Sequence, residues 1–135
     1  IARTRAWLVA SRLPSFAYIA PPLVLGQLIA VRGAPGSLDL GVLAFVLLSG
    51  FDQFFIVYAN DVADVDSDRL NRTPTPFSGG SRVLVEGRLP VRSLTIAAVV
   101  CAIAMVVIST ALAIALDRLE GVERERVMRE TSAGS

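Results

Sequence analysis

Four oxygen-bearing side chains recur at helical spacing within one short segment of the chain: Asn60, Asp61, Asp64 and Asp68. On a helix, at about 100° per residue, they share an arc of about 100° on one face, while Asp66 lies on the other side. Clustered carboxylates repel each other unless a cation lies among them, and hard oxygen ligands suit Mg²⁺. Because Mg²⁺ usually shares its coordination shell with substrate phosphates, the spacing predicts a metal site for a diphosphate or triphosphate.

Two arginines are candidates for direct contacts with the phosphate oxygens, since guanidinium groups match oxyanions well. Arg72 falls on the same predicted face as the carboxylates. Arg82 follows Gly79-Gly80-Ser81, a turn sequence able to present backbone N–H groups to an anion. Two plainer interpretations remain open: an acidic helix end exposed to solvent at a membrane surface, and an ordinary loop turn at the glycine pair.

The composition excludes several other kinds of chemistry. The chain of 135 residues has no histidine, a single cysteine and no lysine, since all 13 basic residues are arginine. Ser-His-Asp and Cys-His catalysis, a His/Cys zinc site and a Schiff-base lysine are therefore excluded. A formal net charge of +1 gives no indication of nucleic-acid binding. Any chemistry must come from Asp, Asn and Arg.

The elements that position these residues are predicted to be membrane helices. Hydrophobic residues make up 53% of the chain, and mean hydropathy is +0.60. Residues 13–31, 40–59 and 93–116 form apolar stretches, each long enough to span a bilayer core of about 30 Å as a helix. We therefore expect an all-α membrane protein with three transmembrane helices, a motif-bearing loop over residues 60–92, and a charged tail over residues 117–135.

The distribution of arginine predicts the orientation of these helices. Arg3, Arg5 and Arg12 precede the first stretch, and five arginines lie in the loop over residues 60–92, whereas the loop between the first two stretches has one. The positive-inside rule then places the N-terminus and the loop in the cytoplasm. We therefore expect a multi-pass protein located in the inner or plasma membrane of the cell. Asp52 and Gln53, within the second stretch, are expected to serve helix packing.

The pattern Asn60-Asp61-x-x-Asp64-x-x-x-Asp68 resembles the first signature of the UbiA-type intramembrane prenyltransferases, at the cytoplasmic end of the second helix as in that family. The stretch over residues 75–89 looks most like the dihydroxynaphthoate polyprenyltransferase (MenA-like) branch. The opening Trp7-Leu8 and Arg12-Leu13-Pro14, with Pro21 and Pro22 beyond, also look like the family's first helix. The resemblance covers about residues 5–116.

The resemblance implies a function and a fold. The family moves a polyprenyl group from an allylic polyprenyl diphosphate to an aromatic quinone precursor in the lipid bilayer, with Mg²⁺ as cofactor. By resemblance the four motif residues form the metal site, and its three aspartates, Asp61, Asp64 and Asp68, are the catalytic ones. Arg72 and Arg82 are candidate diphosphate contacts. The fold would be the N-terminal third of a bundle of about nine helices.

The sequence also departs from the family. It has no second Asp-rich motif and none of the lysines that often accompany it. We therefore expect residues 1–116 to be an incomplete fragment, inactive alone, whose partners include the enzyme's remaining C-terminal helices. The tail over residues 117–135 is expected to be foreign to the fold. The alternative is a non-catalytic membrane cation-binding module or transporter subunit, although five arginines beside the acidic face favour a phosphate-binding enzyme.

Overall fold

The computed structural model describes residues 2–33, 38–73 and 80–133. All regular elements in these ranges are helical and none is a strand, so the predicted all-α class is confirmed for the described part of the chain. In order, the elements are α1 (Ala2–Ala10), a short 3-10 turn (Leu13–Ser15), α2 (Phe16–Gly33), α3 (Leu38–Ala63), α4 (Val65–Leu70) and α5 (Val91–Ala133).

The N-terminal arginine-bearing segment is itself helical, and a sharp break separates α1 from α2. Arg12 has a left-handed backbone with φ of 43°, and the 3-10 turn containing Pro14 follows at once. Proline has no N–H to continue the hydrogen-bond ladder of α1, so the first helix ends before it. The helix α2 then runs without interruption through Pro21 and Pro22.

The helix that carries the acidic residues continues beyond the apolar stretch predicted over residues 40–59, as the helical spacing of the motif requires. The α3 helix ends at Ala63, and α4 begins at Val65, so only Asp64 lies between them. At Asp64 the backbone has φ of −92° and ψ of 2°, although its N–H still reaches the Asn60 carbonyl at 2.8 Å. The Asp68 N–H likewise reaches the Asp64 carbonyl at 2.8 Å. The predicted helical continuation is therefore present, with a local bend at Asp64.

The last helix is much longer than the apolar stretch that predicted it. The α5 helix has 43 residues and includes both residues 93–116 and most of the charged tail. Glu and Arg are good helix formers, and opposite charges four residues apart add support along one face. Three such ion pairs follow one another here: Glu120–Arg124, Glu125–Arg129 and Arg126–Glu130.

The helices meet at one end of the molecule, where the acidic segment lies. Phe16, the first residue of α2, packs edge-on against Phe54, and Arg12, four residues earlier, contacts Asp61, seven residues later, so the chain enters α2 in the direction opposite to the last turns of α3. The α5 helix packs along α3. The buried apolar cluster joins α1, α3, α5 and the loop before α5: Ala6, Ala10, Val57, Tyr58, Val83, Leu84, Leu89, Leu94, Ala98 and Cys101.

Two segments of the described chain, Ala2–Gly26 and Val91–Ser132, are long and apolar enough to cross a membrane. Their most apolar windows have mean hydropathies of 1.3 and 2.8, and only 6% of each window is buried inside the protein. An apolar core helix of a water-soluble domain would be mostly buried, so this exposure supports membrane association. The predicted middle span, residues 40–59, lies within α3 and is not one of these two segments.

Candidate functional site

Asp61, in the last turn of α3, is the most enclosed of the acidic motif residues, with 4% of its side chain exposed. Its Oδ1 accepts hydrogen bonds from Arg12 Nη2 and from the Ser81 backbone N–H, the latter at 3.2 Å. Its Oδ2 accepts a hydrogen bond from Ser81 Oγ. A buried carboxylate needs a counter-charge and full hydrogen bonding, and Asp61 has both. This arrangement fastens the N-terminal segment and the loop before α5 to the end of α3.

Arg12 is held in place by a chain of side-chain hydrogen bonds through Ser15 and Gln53. Ser15 Oγ donates to the Arg12 carbonyl at 2.6 Å, and Gln53 Nε2 donates to Ser15 Oγ at 2.6 Å. Gln53, expected only to serve packing, is 3% exposed. Gln53 lies eight residues before Asp61, at about −80° on the helical wheel. It therefore falls within the same arc of the helix as the carboxylates.

Gly80 brings the loop before α5 into contact with the acidic residues. It has φ of 65°, and a Cβ at this position would overlap Asp68 Oδ2 and lie 3.0 Å from Asp61 Oδ1 and 3.2 Å from Arg12 Nη2. Two carboxylates and one guanidinium thus surround the glycine backbone. The predicted anion-binding turn does present N–H and O–H groups from Ser81, but here they bind the carboxylate of Asp61.

The two arginines predicted to contact phosphate occupy different places. Arg82, with φ of 59°, directs Nη1 to the Asp68 carbonyl at 3.4 Å and Nε to Glu86 at 3.9 Å. It therefore lies beside the acidic segment. Arg72 is exposed, just after α4 ends. Their predicted role in binding a diphosphate stays a prediction. Residues 74–79, which include Gly79 of the predicted turn, lie outside the described residues.

The remaining acidic motif residues are open to solvent. Asn60 and Asp64 are exposed on α3 and at the bend, and Asp66, placed off the acidic face by its angle, pairs with Arg69 at 2.9 Å. Over residues 2–33, 38–73 and 80–133, no group of three or more acidic, Cys or His side chains is arranged to hold a metal ion. The four-residue metal site therefore stays a prediction.

The pair Asp61 and Asp68 fits a hard cation better than the full set of four does. Both carboxylates approach the same point at Gly80, and Mg²⁺ is commonly held by one or two carboxylates together with water and substrate phosphates. The guanidinium of Arg12 supplies the positive charge at that point. The donor chemistry thus suits Mg²⁺, and Arg12 occupies the position in which a cation would neutralise Asp61.

Aromatic side chains line the apolar side of this cluster. Tyr58 is buried one turn before Asp61, and its hydroxyl lies 2.9 Å from Ser11 Oγ. Trp7 packs edge-on against the Tyr58 ring, and Phe54 stacks against it, each at a centroid distance of 5.9 Å. The contact between Trp7 and Tyr58 connects α1 to α3.

Comparison of the chain with protein-family models, with curated proteins and with solved structures yields no match. The site therefore has to be interpreted from its own residues. They define a helical protein in which a buried carboxylate, a second acidic side chain and a guanidinium meet where the apolar helices end.

Proposed function

We propose that this chain contributes the first diphosphate-binding half-site of a Mg²⁺-dependent membrane prenyltransferase of the UbiA type. The reaction transfers a polyprenyl group from an allylic polyprenyl diphosphate to an aromatic quinone precursor. The observation that carries the proposal is the meeting of Asp61, Asp68 and Arg12 around Gly80, because it joins carboxylates for a cation to a guanidinium for an oxyanion.

The proposed topology has three membrane spans, within α2, α3 and the apolar part of α5. The N-terminal segment and the loop before α5 then share the cytoplasmic side, in agreement with the arginine distribution. The exposed apolar side chains of α2 and α5 support contact with lipid or further apolar helices. A lipid-soluble polyprenyl chain would lie along these helices while its diphosphate remains at the polar end.

The proposed reaction breaks the allylic C–O bond, and the electron pair leaves with the diphosphate. A carbon of the aromatic ring then forms the new C–C bond and loses its proton. When bound, Mg²⁺ supplies electrostatic stabilisation of the charge that develops on the leaving diphosphate. Asp61 and Asp68 would hold the cation, while Arg72 and Arg82 remain candidates for the phosphate oxygens. The rings around Tyr58 would limit access of water to the allylic cation.

The test is binding of a polyprenyl diphosphate to the purified chain in detergent micelles, with radiolabelled farnesyl diphosphate as the probe and Mg²⁺ present or absent. We expect binding that requires Mg²⁺ and weakens about tenfold or more in Asp68→Asn, in line with loss of a charged ligand. Asp66→Asn is the matched control, because Asp66 lies off the acidic face and pairs with Arg69.

Equal losses in the two variants, or binding that does not depend on Mg²⁺, would contradict the proposal. A cation-binding module or transporter subunit gives a different result: Mg²⁺ binds, Asp68→Asn weakens it, and farnesyl diphosphate does not bind. Incubation with an aromatic acceptor such as dihydroxynaphthoate then tests transfer itself. We expect no product from this chain alone, since its sequence has one Asp-rich motif where the family uses two.

A further inference from the structure

We infer that Arg12 is a built-in counter-ion of Asp61 which a divalent cation must displace, and that the displaced guanidinium then binds an oxyanion. Gln53 and Ser15 are the positioning residues that hold Arg12 in the first of these two places. The inference rests on the proposed function only for the identity of the oxyanion, which would be a diphosphate. The competition between Arg12 and a cation for Asp61 can be measured without any substrate.

The first step is that the counter-ion and the cation need the same oxygen. Asp61 is 4% exposed, and its Oδ1 already accepts hydrogen bonds from Arg12 Nη2 and the Ser81 N–H. The Ser81 hydroxyl occupies Oδ2. A cation cannot reach this enclosed carboxylate while all these donors remain. Arg12 carries a positive charge, so it is the donor that a cation most strongly repels.

The second step is that Arg12 has unused donors. A guanidinium has five N–H groups, yet within the described residues its Nε is enclosed and has no hydrogen-bond partner. The side chain is nevertheless 36% exposed, so its other end reaches the surface. An oxyanion with several acceptor oxygens satisfies more of these donors than one carboxylate oxygen does, and bidentate binding of phosphate is typical of arginine.

The third step is that a relay of hydrogen bonds, from Gln53 to Ser15 and from Ser15 to the Arg12 carbonyl, holds Arg12 beside Asp61 before any ligand binds. Arg12 has the left-handed φ of 43°, which a non-glycine residue adopts only when its surroundings impose it. Ser15 donates to the Arg12 carbonyl, and the buried amide of Gln53 donates to Ser15. The relay holds the Arg12 backbone from the side of α3, so it directs the guanidinium to Asp61 without contacting either carboxylate.

The consequence is that cation and oxyanion assist each other. A cation at Asp61 releases Arg12, and an oxyanion that captures Arg12 clears Asp61 for the cation. By linkage, each ligand then raises the affinity for the other by the same factor. The cation alone binds weakly because it must first separate the ion pair.

The experiment titrates the full chain in micelles with Mn²⁺, a paramagnetic substitute for Mg²⁺, and follows free Mn²⁺ by electron paramagnetic resonance. Arg12→Gln is expected to bind Mn²⁺ about tenfold more tightly than the native chain, the lower end of what a hydrogen bond between charged groups contributes. In a second titration, at saturating Mg²⁺, the same variant is expected to bind inorganic pyrophosphate about tenfold more weakly. Arg69→Gln, an equal change of charge at an exposed position, is the control for both.

Opposite shifts in the two titrations distinguish a displaced counter-ion from a merely structural arginine, whose loss weakens both ligands. Weaker or unchanged Mn²⁺ binding by Arg12→Gln overturns the inference. Gln53→Leu and Ser15→Ala keep the charge but loosen its position. They are expected to tighten Mn²⁺ binding by a smaller factor, and they give the answer if Arg12→Gln does not fold. If Arg12→Gln binds Mn²⁺ more tightly but no variant binds pyrophosphate, the role of Arg12 as a counter-ion is supported and the proposed function is refuted.

Discussion

Substituting alanine for Gly80 and for Gly87 gives a matched pair of variants that measures how closely Asp61 and Asp68 pack against Gly80. Both glycines have positive φ, 65° and 66°, so an alanine at either position suffers the same left-handed backbone penalty of about 1–2 kcal/mol. They differ in their surroundings. A Cβ at Gly87 meets nothing within 4 Å, whereas a Cβ at Gly80 overlaps Asp68 Oδ2 and lies 3.0 Å from Asp61 Oδ1.

The expected effects on the free energy of unfolding follow from this difference. Gly87→Ala should destabilise the protein by about 1 kcal/mol, because the unfolded chain also loses freedom and offsets part of the strain. Gly80→Ala adds the overpacking term of about 1–3 kcal/mol, which gives a total of about 2–4 kcal/mol. The half-buried Asp68 side chain can rotate away, which favours the lower part of that range, but the rotation separates the two carboxylates.

The assay is denaturant unfolding in micelles followed by tryptophan fluorescence. Trp7 is the single tryptophan of the chain, and it packs against Tyr58, one turn from Asp61. Equal destabilisation by the two alanines would refute the close packing of Gly80 on the acidic cluster. Adding Asp68→Ala to each variant provides a further check, since it should recover stability when combined with Gly80→Ala and none when combined with Gly87→Ala.

Three further predictions concern separate contacts. Ser81→Ala removes the hydroxyl that donates to the buried Asp61, and it should lower the free energy of unfolding by about 1–3 kcal/mol in the same fluorescence assay. Tyr58→Phe removes only the hydroxyl bonded to Ser11 and should lower it by about 1 kcal/mol, with the far-ultraviolet circular dichroism unchanged. Glu125→Gln breaks an exposed ion pair in α5, so helix content and thermal midpoint should not change measurably.

Each of these has a result that would count against it. A neutral Ser81→Ala would mean that Asp61 does not depend on the Ser81 hydroxyl. A loss as large for Tyr58→Phe as for Tyr58→Ala would mean that the hydroxyl, and not the packed ring, secures α1. Loss of helicity in Glu125→Gln would show that ion pairs, rather than the propensity of the residues, maintain the second half of α5.

The local features of the fold were predictable from the sequence because they depend on neighbouring residues. Hydrophobic length predicts a helix over residues 40–59 in α3 and over residues 93–116 in α5, whereas the tail over residues 117–135 is expected to be foreign to the fold. Its continuity with α5 was not foreseen, because an abrupt change of composition suggests a boundary even where helix propensity continues. The bend at Asp64 likewise escaped prediction, since a helical wheel assumes one uninterrupted helix.

The candidate site was predictable only in part, for a physical reason. Asp61 and Asp68 follow from spacing along one helix, but the partner of Asp61 lies 49 residues away, at Arg12. Arginine counts before the first helix had been used only to assign orientation. The segment that leads into α2 runs opposite to the last turns of α3 and so brings Arg12 to the acidic end, and no local pattern encodes that contact. Gln53 was within reach of the angular argument, but as an amide in an apolar stretch it was assigned to packing.

The length of α5 determines how deep the site can lie in a bilayer. At 1.5 Å per residue its 43 residues extend for about 65 Å, roughly twice the thickness of the hydrocarbon core. In the proposed topology, with residues 93–116 in the membrane, moving the helix inward by one turn would draw Asp117 and Arg118 from the interface towards hydrocarbon, where a charged side chain is unfavourable. The projecting charged half thus fixes the vertical position of α5. Because α5 packs along α3, it constrains the height of Asp61 as well, and the proposed function requires that height to be the boundary at which a polyprenyl chain ends and its diphosphate begins.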